Sequence, residues 1–518
     1  MTIHSKASRR QLLRWGGGLS FLGATGAPLA LQLAATGAAA GSSASGYKAL
    51  VCIFMQGGQD SNNLVLATDA DSWGRYTSAR NTGQTPINLL PVGAPKAPPP
   101  PNGQLNAPQY WGGVLPITTR TPQPIPAGTN ATTRTFALHP MLAQLLPIYD
   151  AGRLAILANV GTLIQPTTKA QFQASLAGNP SVPIPAQLFS HNDQTNTWQA
   201  GAIEGARFGW GGQMGDMLES LNGANSIFTA ISTGGNAVFL SGNSVVQYIV
   251  ASGVGMQPAS QIGIDDWALA TEFQGQATLD KIIVNQNTSS TFANDYATVV
   301  QRSLSASSTI NNAVAAGAAA NIPVPPAYTN PALNATQTNS LAQQLYTVAK
   351  LIAAAPGLGV QRQVFFVGFG FFDTHANQNI YEPGNLSQLA QGLAYFDTVL
   401  SSVGGIDMRP NVTTFTASEF SRSFTANGSG TDHAWGGHHL IMGGAVKGQD
   451  MYGQYPTLGI DLGSFVNPNM AGNDMVPTTS VDQYGATLGR WFGVSNSDLN
   501  TIFPNLQNFG SSPYLGFV

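Results

Sequence analysis

Continuous apolar runs alternate with amphipathic stretches along most of this chain, and that alternation predicts its architecture. Tyr47 to Met55 (YKALVCIFM) is apolar almost throughout and is bounded by Gln56-Gly57-Gly58, the pattern of a strand buried on both faces. His139-Pro140 opens a short helix through Tyr149, Gly152 ends it, and Leu154 to Val160 forms a second strand. Near 223–262, apolar and small residues alternate with several glycines and predict short β-hairpins. A helical tract from about Asp265 to Ala319 comes next, then a Pro-rich linker around Pro323 to Pro331. Helix 340–354 leads through Pro356-Gly357 into strand Val364 to Phe369, and helix 386–403 leads into strand Val412 to Thr416. Ser480 to Phe492 is an amphipathic helix with Ser480 as N-cap and Gln483 three residues on, a capping box. Strands alternating with helices predict the α/β class, a mostly parallel sheet with helices on both faces. The Pro-, Gly- and Thr-rich stretch from Asn81 to Asn130 is a surface excursion. Residues 41–518 are then one large α/β domain, with insertions near 81–130 and 223–335.

Composition narrows the class further. Charged residues make up 9% of the 518, against about 25% in an average soluble protein. Hydrophobic residues make up 43%, which argues for a packed core rather than disorder. The net charge of −3 leaves no basic footprint for nucleic acid. A single cysteine, Cys52, excludes an intramolecular disulfide and a Cys-ligated zinc site. It sits inside the first apolar run and reads as an inert core residue.

The N-terminus carries an address. Ser8-Arg9-Arg10-Gln11-Leu12-Leu13-Arg14 precedes a weakly apolar, Gly-rich stretch to about Ala35, and an Ala-x-Ala site follows at Ala38-Ala39-Ala40. That order is a secretory signal, and the paired arginines ahead of a mild apolar region resemble a twin-arginine signal. Gly16 to Gly18, Gly23, Gly26 and Pro28 break the stretch, leaving no run of about 20 strongly apolar residues for a permanent membrane span. Residues 1–40 are therefore expected to be cleaved, and the protein to be periplasmic or extracellular, with the twin-arginine translocation machinery as its partner in export.

In an open α/β sheet, ligands collect at the carboxyl ends of strands, and the notable polar residues fall there. The first strand runs into Gly57-Gly58-Gln59-Asp60-Ser61-Asn62-Asn63. The strand ending at Phe369 runs into Phe372-Asp373-Thr374-His375, and the next into Ala417-Ser418-Glu419-Phe420-Ser421-Arg422. A Gly-rich loop then carries Thr431-Asp432-His433-Ala434-Trp435-Gly436-Gly437-His438-His439. Carboxylate plus neutral imidazole suits zinc and manganese, whereas all-oxygen sites suit calcium or magnesium. Singly, each piece has a plain alternative. Asp60 after Gly-Gly can cap a helix, and Glu419 and Arg422 at i, i+3 can form a local ion pair. His438 and His439 point to opposite faces if extended. Together the four clusters favour a metal or phosphate-like oxyanion site. Ser190-His191-Asn192-Asp193 has N-cap spacing, and a serine at a helix start can also be a metal-activated nucleophile. His139 and His191 are candidates for hydrogen-bonding support behind the ligands.

These segments together resemble a bacterial family catalogued as a domain of unknown function, number 1501, whose members often carry twin-arginine signals. The resemblance runs through VCIFMQGGQDSNN, FALHPMLAQLLPIYDAGRLAILANVG, SHNDQTNTW, FDTHANQ, TASEFSR, GTDHAWGGHHLIMGGAVKG, PTTSVDQYGATLGRWFGV and IFPNL. Gln59 stands where the family usually has Asn, and Ser421 where it usually has Gly. That family in turn looks like the alkaline phosphatase and sulfatase superfamily. The second likeness implies Asp60, Asp373, His375, Glu419, Asp432, His433 and His438 as metal ligands, with Ser190 as nucleophile. Glu419 replaces the acid of the usual Asp-His pair, and the Asp-Thr-His spacing is tighter than usual. The Cys-x-Pro-x-Arg or Ser-x-Pro-x-Arg segment that formylglycine sulfatases need is absent.

The leading expectation is thus a metal-dependent exported hydrolase of phosphate or sulfate esters, acting on a small-molecule or polymer ester with a divalent zinc, manganese or calcium ion. Arg422 would clamp the equatorial oxygens of the ester. The competing expectation is a non-catalytic cell-surface, carbohydrate-binding or assembly protein on the same fold, using aromatics such as Tyr110, Trp111 and Trp435. Convergence of the carboxylates and imidazoles discriminates the two.

Overall fold

The computed structural model describes residues 46–126, 128–254, 289–511 and 513–518. The expected signal (1–40) and the first part of the expected helical tract (265–288) lie outside the described residues. Nine strands form the main sheet: β1 (Lys48–Met55), β2 (Leu154–Gly161), β3 (Ala230–Ser232), β4 (Tyr248–Ile249), β5 (Arg362–Phe369), β6 (Val412–Ala417), β7 (Gly437–Met442), β8 (Met451–Tyr452) and β9 (Thr479–Ser480). Their order is β8-β2-β7-β6-β1-β5-β3-β4, with β9 beside β2. Most pairs are parallel, and β7 runs antiparallel to both β6 and β2. The four strands expected from apolar runs all lie in this sheet.

Both faces are covered, as a parallel sheet requires. Side chains of β1 divide alternately: Val51, Ile53 and Met55 join one core, Leu50, Cys52 and Phe54 the other. The first core is closed by helices Ser340–Leu358 and Gln378–Leu400, through Leu341, Leu345, Leu386 and Leu389. The second is closed by His191–Ala200, Trp210–Leu218 and Val481–Phe492, through Trp198, Met214, Tyr484 and Leu488. The capping box at Ser480 and Gln483 is present. Cys52 is fully buried, and burial pushes its thiol well above the ordinary range.

One local expectation is corrected. The 223–262 region makes no hairpin among its described residues. Its two short strands pair parallel to each other and to β5, because a 3-10 turn at Val238–Leu240 carries the chain back across. The 81–130 excursion carries a strand, Leu115–Ile117, in a small antiparallel sheet with Val65–Ala67 and Phe136–Leu138. No helix among the described residues is long and apolar enough to cross a membrane.

Behind the carboxyl end of β1 lies a buried polar knot. Asp60 caps the short helix Ser61–Leu64 and forms an ion pair with fully buried Arg80. Gln378 Nε2 donates to Asp60 Oδ2 at 2.6 Å and to Glu382 Oε2 at 2.9 Å. Asn63 Nδ2 also donates to Glu382 Oε2, at 3.0 Å, while Glu382 Oε1 has no partner. One guanidinium cannot neutralise two buried carboxylates. Burial, then the Asp60 charge, pushes Glu382 up from 4.5 to about 8, so it holds a proton at neutral pH.

That proton sets a pH dependence. A carboxyl whose folded pKa is raised keeps its proton while the unfolded chain loses it, so stability falls as pH climbs from about 4.5 to about 8. Asp474 and Asp482, pushed up by burial to about 7 and about 6, act with the same sign. Glu382→Gln keeps an uncharged group of the same shape and should flatten the wild-type decline by on the order of 1 kcal/mol or more. Denaturant unfolding at pH 5 and pH 8 checks this; equal declines in both proteins would show Glu382 to be ionised.

Candidate functional site

The carboxyl ends of β1, β5 and β6 are adjacent because their registers pair Met55 with Phe369 and Phe54 with Ala417. The loops beyond them interlock. Phe372 N–H donates to Gln56 O, Gln59 N–H to Ser418 Oγ, and Gly57 N–H to Glu419 Oε1 at 2.7 Å. Gly57 has φ +114°, and a Cβ there would stand 2.3 Å from Asp373 N. Only glycine lets the first loop pass this close to the second.

Arg422 ties the loops together from below. It is fully buried and donates to Gly57 O, Gly58 O, Thr431 O and Asp373 Oδ1. A two-residue antiparallel ladder sets Arg422 opposite His433, which carries the Asp432-His433 segment to the same place.

The result is a cluster centred on Asp373. His375 Nε2 lies 3.2 Å and His433 Nε2 3.5 Å from Asp373 Oδ1, and His191 Nε2 lies 3.4 Å from Oδ2. The Nε2 atoms of His375 and His433 are 2.9 Å apart. Each ring is held from behind by its other nitrogen: His191 Nδ1 on Glu419 Oε1 at 2.8 Å, His433 Nδ1 on Phe189 O at 2.7 Å, and His375 Nδ1 on Asp432 Oδ1 at 3.2 Å. A carbonyl or ionised carboxylate accepts only, so these bonds put a proton on each Nδ1, and a neutral ring then turns an Nε2 lone pair inward. This is how metal-binding histidines are ordinarily oriented. The 2.9 Å contact between His375 and His433 needs a proton or a cation at one of the two. The side chain of Asp373 is 48% exposed, so the cluster is open to solvent.

Electrostatics follow from the contacts. Burial alone would raise Asp373, but the Arg422 hydrogen bond and charge outweigh it and hold the carboxyl below its usual range. The hydrogen bond to Glu419 raises His191, whereas burial lowers His433. Asp432 is lowered first by the hydrogen bond from Asn427 and then by His375. His191, Asp373 and His433 present ligand atoms all within 4.8 Å of one another. Tetrahedral zinc with bonds of about 2.0–2.1 Å has ligand–ligand edges of about 3.3 Å, close to the separations between these rings and Asp373.

The sequence candidates are distributed as follows. Asp373, His375, Asp432 and His433 come together. Glu419 joins them from behind, its Oε1 already shared by the His191 ring and Gly57 N–H, so it orients an imidazole instead of facing the centre. Asp60 is not in the cluster. Its oxygens are taken by Arg80, Gln378 and Asn62 N–H, so the plain capping alternative describes it. His438 is also elsewhere: on β7 it accepts from Asn159 N–H at Nδ1 and packs at a tilt against Tyr455, and burial lowers it to about 3. Arg422 is fully buried and gives four of its five N–H groups to three carbonyls and Asp373, which sets it behind the cluster and not against an ester. Ser190 is the N-cap of helix His191–Ala200, accepting from Asp193 N–H. Its two neighbours, Phe189 and His191, both hold the cluster. His191 itself was foreseen only as support, because its partner Glu419 is 228 positions away. Asn427 carried no signal at all.

The fold and site thus define an α/β protein with an imidazole–carboxylate centre at the carboxyl edge of its sheet. The chain belongs to the family described as "Protein of unknown function (DUF1501)", which it matches over residues 47–503. No curated protein matches it. Two solved structures, titled "Crystal structure of Ps i-CgsB" and "Crystal structure of Ps i-CgsB in complex with k-i-k-neocarrahexaose", are 11% and 10% identical, both with a TM-score of 0.27. The alignments cover 71% and 70% of this chain and 71% of each of theirs; a likeness that low carries no argument.

The Gly57 contact is directly testable. Gly57→Ala should destabilise the protein by about 1–3 kcal/mol, far more than Gly93→Ala, where φ is +81° but the space is open. Equal unfolding midpoints for the two variants would mean that the loops do not depend on this approach.

Proposed function

We propose that this chain is an exported, metal-dependent hydrolase of phosphate or sulfate esters. The observation that carries the reading is the inward convergence of three Nδ1-tethered imidazoles on Asp373. Lone pairs on His375 and His433 at 2.9 Å repel unless a cation or proton lies beside them. Imidazoles with one carboxylate suit zinc or manganese better than calcium. His191, His433 and Asp373 would hold the ion, with His375 as the fourth donor. A bound ion of this kind polarises an ester oxygen and lowers the pKa of a nearby hydroxyl.

The chain's own groups fill the remaining roles. Glu419, Phe189 O and Asp432 fix the rings; Arg422 fixes Asp373 Oδ1 and leaves Oδ2 toward His191. The Ser190 hydroxyl accepts its capping bond, so its own proton is not used there. It stands at the start of a ten-residue helix, where the backbone N–H groups favour an anionic ester. That helix start takes over the part first assigned to Arg422. Export rests on Arg9-Arg10 and the Ala38–Ala40 site, with the translocation machinery and the ester substrate as partners.

Asp373→Asn, which keeps the Oδ1 acceptor for Arg422, combined with His433→Ala should abolish bound metal and hydrolysis of p-nitrophenyl phosphate and sulfate while leaving the fold intact. Ser190→Ala should lose turnover and about 1 kcal/mol of stability together. Ser190→Asn keeps a cap but no nucleophile, so it should lose turnover at nearly unchanged stability. Full turnover in Ser190→Asn would remove the serine from the chemistry. Protein without stoichiometric metal, and inert toward both esters after reloading, would leave a non-catalytic binding protein.

A further inference from the structure

Phe371 is out of place by every rule that governs the rest of the fold. Its side chain is 84% exposed and its φ is +74°, a conformation that costs a bulky residue on the order of 1–3 kcal/mol. Nothing local forces the exposure. The loop around it is firmly held: Asn385 Nδ2 donates to Phe371 O at 2.9 Å, and buried Phe372 packs on Phe369. The strained aromatic therefore sits on a rigid mount two residues before Asp373. Phe189 is also exposed, and its carbonyl holds His433.

Amides lie on the same loops: Asn385 holds Phe371 O, and a Cβ on Gly370 would stand 3.6 Å from Gln56 Oε1. Gln56, Gln187, Asn192 and Asn427 are exposed amides on the segments that build the cluster. Aromatic faces offer flat apolar surface to ring C–H groups, and amides both donate to and accept from hydroxyls. Arg422 is fully buried, with four of its five N–H groups given to Gly57 O, Gly58 O, Thr431 O and Asp373. An exposed phenyl face on loops that also carry exposed amides suits a ring that is apolar on one face and hydroxylated at its edge.

We propose that Phe371 is the stacking platform of a sugar-binding subsite, so that the ester placed at the Asp373 cluster is borne on a pyranose ring. The assignment rests on the reading of the cluster as an ester site. The backbone strain at Phe371 is the stability given up to hold the ring out in solvent.

Sugar binding is read without turnover, by saturation-transfer NMR from the full mature chain to the C–H protons of glucose 6-phosphate and glucose 6-sulfate. Transfer should be seen with the wild type, fall severalfold in Phe371→Ala, and return in Phe371→Trp. Phe371→Gly should likewise lose transfer yet raise the unfolding midpoint, since glycine adopts this φ freely. Undiminished transfer in Phe371→Ala, no transfer in the wild type, or Phe371-dependent transfer to p-nitrophenyl sulfate but not to the glucose esters would each overturn the proposal. Phe371-dependent sugar binding by metal-loaded protein that hydrolyses no ester would instead sink the hydrolase reading and leave the subsite standing.

Discussion

The buried guanidinium of Arg422 is the point at which the loops of this protein are joined. A charge with no solvent exposure is tolerated only when it is paired and hydrogen-bonded, and here Gly57 O, Gly58 O, Thr431 O and Asp373 take four of the five N–H groups. Those acceptors come from the loop after β1, the loop after β5 and the Gly-rich segment before β7. Satisfying one arginine therefore fixes three loops relative to one another. Asp373 is the acceptor that also faces solvent, so the demand of a buried charge becomes the position of an exposed carboxylate.

A second layer repeats the same logic with histidines. Each ring is tethered at Nδ1 by an oxygen from a different part of the chain, and the strands and short ladder beneath are rigid enough to hold those oxygens in place. Gly57 contributes by having no side chain, since its backbone passes against that of Asp373. The Asp60–Arg80–Glu382 knot lies behind this layer and connects to it through Gln378, which accepts from Thr431 Oγ1. Packing, buried charge and site geometry are thus one connected set of contacts.

What was legible in the sequence was what depends on local pattern. Val51 to Met55 announced a central strand because no polar residue interrupts it, and Ser480 with Gln483 announced a helix start. Strand β7 is hidden in the Gly-rich segment that carries His438 and His439, where pattern alone suggests a loop. The parallel pairing of β3 with β4 was hidden because it depends on a crossover and not on spacing. The same division runs through the site. Asp373, His375, Asp432 and His433 stood out as acid–imidazole pairs at strand ends. Asp60 looked equivalent, and only its partner Arg80 shows that a cap and an ion pair consume it. Glu419, Arg422 and His191 were visible as residues, but their roles depend on contacts across hundreds of positions.

The proposed cation site of three tethered imidazoles and Asp373 can be read by X-ray absorption at the zinc edge on the zinc-loaded mature chain. One zinc per chain is expected, in a four- or five-coordinate shell of nitrogen and oxygen at about 2.0–2.1 Å, with imidazole scattering from more than one histidine and no sulfur. A six-oxygen aqua-like spectrum, or zinc that washes out of the folded protein, would mean that the rings are held together by a shared proton and not by a metal.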